Sequence, residues 1–179
     1  MFANFLRDVV SLKLELKAMK NLILVALMFS WGDACGTDES FSKIFLDRKS
    51  NVHVTLAHGG ERRLTKNGRA MNAALSDDRR TAAWLVRETW KLEEGDVTAA
   101  DTLMAYRHGK YRRITCFPII RSYWFVKGGR QLALDCGGLH FAGTLSLYDF
   151  ATGKLVDSFS QPDIPESKRP AWTLPTEEY

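Results

Sequence analysis

The chain has 179 residues, enough for one globular domain and short for two. With 45% hydrophobic, 26% charged and 11% aromatic residues it can fill a packed core, which excludes a disordered or collagen-like chain. The excess of 25 Lys and Arg over 21 Asp and Glu gives a formal charge of +4, a mild basic balance.

Residues 1–34 read as an N-terminal extension followed by an export signal. Lys20 supplies a positive start and Leu22 to Trp31 a short apolar run. Gly32 and Ala34 then place small residues three and one before Cys35, as a signal peptidase requires. The run of ten residues is about half of the roughly 20 that span a bilayer, so a permanent transmembrane helix is not expected. Asp8 and Glu15 are foreign to a signal. Either Met19 is the true start, or Met1–Ala18 forms an amphipathic helix with Phe2, Phe5, Leu6, Val9 and Val10 on one face. Ala34-Cys35 also meets the minimum for lipidation of Cys35 and attachment to a membrane, although Gly32 and Asp33 depart from the usual lipoprotein pattern. Ordinary cleavage beside a free Cys35 thiol is the alternative.

With Cys35 at the boundary, Cys116 and Cys136 remain inside the domain. In an oxidising compartment they pair and close a loop of about twenty residues; in a reducing one they are small buried hydrophobes. No Cys-x-x-Cys occurs, and His53, His58, His108 and His140 have no ligand spacing to any cysteine, so neither a metal nor a cofactor is expected.

From about residue 50 the hydrophobic period becomes strand-like. Val52, Val54 and Leu56 alternate, Gly59-Gly60 turns the chain, and Asn67-Gly68 is a second turn signal. A polar turn then sits between apolar strands at Ala74–Val86, and the arrangement returns fifty residues later at Trp124–Leu134. Each copy precedes a second hairpin, Leu103–Ile114 and Leu145–Val156, with Gly109-Lys110 and Gly153-Lys154 at matching places. Four short strands per repeat of this length mark a propeller blade.

Ser76-Asp77-Asp78-Arg79-Arg80-Thr81-Ala82-Ala83-Trp84 resembles the strand turn of TolB-like and WD40-like propeller repeats, without their usual Pro and Gly. Tyr148-Asp149-Phe150-Ala151-Thr152-Gly153-Lys154-Leu155 is similar to the second hairpin of the same repeats. The resemblance covers about residues 74–160 and extends to small exported bacterial proteins built on such repeats. It implies a mostly-β domain over residues 35–160, made of two blade-like repeats. Two blades cannot close a ring, so eight to ten strands should form two packed sheets or an open partial propeller. Four of the five prolines follow residue 160, so residues 161–179 should be an extended tail that straps the sheet, anchored by Trp172.

These turn motifs carry no chemistry. Lys91–Asp101 lacks calcium-loop spacing and reads as a solvated insertion, with Arg87 and Trp90 at one lip of a groove. Arg107, Lys110 and Arg112, with Tyr106 and Tyr111, form a basic hairpin suited to an anionic envelope polymer rather than nucleic acid. His140 lies in a glycine-rich connection with no helix after it, so no phosphate loop is formed. Neither Gly-x-Ser-x-Gly nor His-Glu-x-x-His is present. The expectation is therefore a non-enzymatic exported module of the periplasm or outer envelope. Loops at 87–101 and 137–143 would face a protein or polysaccharide partner, and oligomers are compatible with the exposed sheet edges. The rivals are a small hydrolase-like enzyme using His140 with Asp135 or Asp149, and an inhibitor or immunity-type protein.

Overall fold

The computed structural model describes residues 39–92, 95–138 and 141–173. The expected signal and extension at 1–34, the alternative starts at Met1 and Met19, Cys35, His140 and residues 174–179 lie outside the described residues.

The protein is mostly β, with three antiparallel sheets stacked in chain order. The first holds β1 (Phe41–Leu46), β2 (Val52–Leu56) and β3 (Glu61–Arg63). The second holds β4 (Ala70–Leu75), β5 (Thr81–Leu92), β6 (Gly95–Arg107) and β7 (Lys110–Thr115). The third holds β8 (Ile119–Val126), β9 (Gln131–Gly137), β10 (Thr144–Asp149) and β11 (Leu155–Ser160). Every strand pairs with its chain neighbour, so each sheet is a meander joined by short turns. The two expected repeats are the second and third sheets. The first sheet is an addition to the expected pair, and strand structure starts at Phe41 rather than near residue 50.

The strand pleat sorts the central sheet into two faces. Ala82, Trp84 and Tyr106 pack with Phe41, Val52 and Val54 of the first sheet. Their neighbours Ala83, Leu85, Leu103 and Ala105 pack with Ile120, Leu132 and Leu134 of the third. Both faces of the second sheet are thus buried, which explains its nearly continuous apolar runs.

One turn geometry opens all three sheets. Ser50, Arg79 and Gly129 donate from their backbone N–H to the carbonyls of Asp47, Ser76 and Val126, three residues earlier, at 2.9, 2.8 and 3.1 Å. Each also has a left-handed φ, of 57°, 58° and 82°. The first sheet therefore repeats the backbone of the other two although Asp47–Asn51 shares little sequence with them. Ser50 and Arg79 hold this φ with side chains, but position 129 needs glycine because a Cβ there would fall 2.5 Å from that of Ser76.

Over residues 161–173 the tail is not the extended segment expected: it turns through two short 3-10 helices, Gln161–Asp163 and Glu166–Lys168, before Trp172 packs on the third sheet. Trp172 stacks on Trp124 of β8, with ring centroids 6.4 Å apart, and tilts against Phe159 of β11 at 5.8 Å. Trp124 Nε1 donates to the Trp172 carbonyl at 2.7 Å, and Trp172 Nε1 to Asp157 at 2.9 Å. Gln161 donates to Asp135 at 2.8 Å. The strap lies on the face carrying Ala133, Leu145 and Leu147, which are 0, 2 and 4% exposed. Trp172→Ala should cost about 2 kcal/mol by removing a large apolar anchor and its hydrogen bond. A fall in thermal midpoint, with faster proteolysis after residue 160, would show it; an unchanged midpoint would mean that the strap does not stabilise the sheet.

Candidate functional site

β5 and β6 run on past their neighbours. β4 pairs with β5 only as far as Val86, and β7 with β6 only from Thr102. Beyond the bulge at Val86 and Arg87 the two strands continue as an arm, from Arg87 opposite Ala100 to Leu92 opposite Gly95. The Lys91–Asp101 insertion is therefore a paired hairpin and not a loop. Backbone pairing tolerates polar side chains that point to water, and Gly95 opens β6 with a φ of 130° that favours glycine.

The arm forms one wall of a cleft of about 630 Å3, with Thr98, Ala99 and Ala100 facing it. Ile119, Ile120 and Arg121 of β8 form another wall, and Phe141 and Ala142 a third. The two segments expected to face a partner, 87–101 and 137–143, thus border one cleft. Its surface is largely apolar, and Phe141 on it is 61% exposed.

Arg121 anchors the glycine-rich segment. Its guanidinium donates to Asp135 at 2.6 Å and to the Phe141 carbonyl at 3.1 Å. Glycine at 137 and 143 makes room for it: a Cβ at Gly143 would sit 2.0 Å from the Cys136 carbonyl oxygen and 2.9 Å from the guanidinium. The glycines expected to permit close approach do so here to a protein side chain. Cys116 and Cys136 form a disulfide with Cα atoms 6.0 Å apart, tying the end of β7 to β9 beside this cleft.

No protein-family model matches the chain, and no curated protein matches it in sequence.

The basic hairpin is divided by the pleat. Arg107, 9% exposed, donates to Asp78 at 2.9 Å, Thr81 at 2.8 Å and the Gly128 carbonyl at 3.3 Å. Burial pushes the Asp78 carboxyl up, but hydrogen bonds from Ser76 and Arg80 and the Arg107 guanidinium outweigh it and hold Asp78 below the usual carboxylate range. Arg112 donates to the Phe150 carbonyl at 2.7 Å and also to that of Ala151, bridging to the third sheet. Lys110 is exposed in the turn. Arg87 ties the base of the arm to Ser50 and the Gly68 carbonyl at 3.1 and 3.2 Å, and Trp90 stands opposite Val97 on the arm.

The acids named as partners for His140 are engaged elsewhere. Asp135 holds Arg121 and Gln161, while Asp149 accepts from Thr152 N and Oγ1 at 2.8 and 2.7 Å, closing the β10–β11 turn. Those backbone and hydroxyl bonds keep the Asp149 carboxyl below its ordinary range. Among the described residues no group of three or more His, Cys, Asp or Glu is placed to hold a metal ion. Sequence reasoning missed Arg121 and Phe141. A charged residue in the apolar run Ile119–Val126, one position from the Ser122–Asp135 pair, was the available signal.

Proposed function

We propose that the protein is an exported, non-enzymatic binding module of a bacterial envelope, holding a protein partner in the cleft between the arm and the 138–143 segment. The observation that carries this reading is the exposed apolar surface of that cleft, with Phe141 presented to solvent on a disulfide-tied frame. Isolated exposed apolar residues are ordinary, but an exposed phenylalanine on an apolar cleft of this size suits an interaction site. The disulfide supports an oxidising compartment, and with it the export signal and either lipidation of Cys35 or simple cleavage beside it. On this reading the three-sheet stack is an open, propeller-like array related to TolB-like and WD40-like repeats.

A photo-crosslinking residue in place of Phe141, introduced in the native host, should give one discrete adduct in the envelope fraction. The same residue at the distant, exposed Lys154 should give none. The mature chain should gain about two mass units on reduction, and a diacylglycerol mass would add the lipid anchor. A full-length, reduced, cytosolic chain would overturn export, and absence of a Phe141 adduct would overturn the binding cleft.

A further inference from the structure

A second cleft, of about 570 Å3, lies between the 64–69 connection and the face of the central sheet that carries Trp84. Its size falls in the range of about 300–1,000 Å3 common for ligand clefts. Trp84, Val86 and Met104 line it, with Trp84 only 2% exposed and therefore fixed. Tyr111 meets Trp84 edge-on at 6.4 Å and 82° and tilts against Tyr106 at 4.9 Å, and the residue remains 46% exposed. The Tyr111 hydroxyl donates to the Leu64 carbonyl at 3.3 Å, which orients the ring. Burial pushes the phenol up from its ordinary range, so it stays uncharged at neutral pH.

The charges around this cleft are unbalanced. Arg69 and Glu88 line it as an ion pair and offset each other. Lys66 and Arg113 also line it, are exposed, and have no described ion-pair partner. Thr65, Asn67 and Thr102 add neutral hydrogen-bonding groups. An occupant that suits this set is anionic, rich in hydroxyls, and has a flat apolar face for one aromatic ring.

We propose that this cleft binds a segment of an acidic polysaccharide, with Tyr111 against a sugar ring and Lys66 and Arg113 on its carboxylates. Arg113 can take a carboxylate through two parallel N–H bonds, while Lys66 supplies a point charge. The small number of unpaired charges favours this occupant over nucleic acid. Two cations without a described ion-pair partner, in a cleft whose other two charges offset each other, suit an occupant with few acid groups better than a dense phosphate backbone. Single-stranded nucleic acid also calls for several stacking rings, and among the described residues of this cleft only Tyr111 is an exposed one. The proposal does not depend on the Phe141 cleft being occupied.

The test is calorimetric titration of the full chain with an oligogalacturonate at low salt. Binding should weaken as salt rises, since exposed charges are screened within about 10 Å at 0.1 M. Replacing both cations together, Lys66→Gln with Arg113→Gln, should lower affinity about tenfold or more. Tyr111→Ala should lower it about tenfold, and Tyr111→Phe, which keeps the ring, should retain most of it. Phe141→Ala should leave it unchanged, which separates this site from the apolar cleft. No binding at about 1 mM oligogalacturonate, or no effect of the double substitution, would overturn the assignment. So would equal or tighter binding of polyglutamate or a single-stranded DNA.

Discussion

Arg107→Met should destabilise the fold by about 3 kcal/mol, because it removes the one cationic donor that Asp78 Oδ2 and the Thr81 hydroxyl share inside the structure. The side chain is buried, and its one Nη1 serves groups on two sheets: Asp78 and Thr81 on the second, the Gly128 carbonyl on the third. Thr81 Oγ1 completes the link by donating to the Gly129 carbonyl at 2.9 Å. Losing the arginine therefore loosens the junction between two opening turns as well as one ion pair. The effect has a pH signature. Asp78 is held below its ordinary range when folded, so its contribution is present above the unfolded pKa near 3.9 and is lost as pH falls through the lower folded value. Denaturant midpoints of wild type and Arg107→Met should differ most at neutral pH and converge below about pH 4. A constant gap across that window would mean that the neutral contacts to Thr81 and Gly128 carry the effect.

Cys136→Ser should cost about 3 kcal/mol, the loop-closure stabilisation for a loop of this length, whose cysteines are 20 apart in sequence. Both sulfurs sit against the core shared by the second and third sheets. The expected result is a clear drop in thermal midpoint, matched by wild type under reductant, with the oxidised and reduced variant indistinguishable. Equal midpoints for oxidised and reduced wild type would show that the sheets are fully held by packing alone.

The hairpins of the second and third sheets could be read from sequence because their turns are written in residues. Asp78 and Asp149 accept backbone N–H groups within their own turns, and Gly109 and Gly153 take φ of 75° and 72°. Trp172 could be read as the anchor because a lone large aromatic among prolines has little else to do. In the first sheet β2 and the Gly59-Gly60 turn could be read from sequence, while β1 escaped notice because the turn that follows it keeps the geometry and changes the residues. Asp47 accepts from Lys49 N and Asn51 N at 2.8 and 2.9 Å, so the carboxylate recurs while the flanking pattern does not. The arm is not legible in the sequence because Glu93-Glu94-Gly95-Asp96 is polar, and polar residues mark a solvated loop and an exposed hairpin alike. In the basic hairpin the strand period held the answer. Tyr111 and Arg113 fall on the Trp84 side, while Arg112 alternates to the other face and bonds the third sheet.

The strap across the third sheet sets an order on the ribosome. The first two sheets are local meanders, so their pairings can form as each hairpin emerges, at small cost in loop closure. Leu145 and Leu147 differ, since the face that carries them is covered by residues 161–172, made after every strand is complete. Until Trp172 is released, a nascent chain carries a finished amino-terminal stack beside an uncovered apolar face and an open edge at β11. That interval is when a chaperone has something to hold and when neighbouring nascent chains are most prone to adhere.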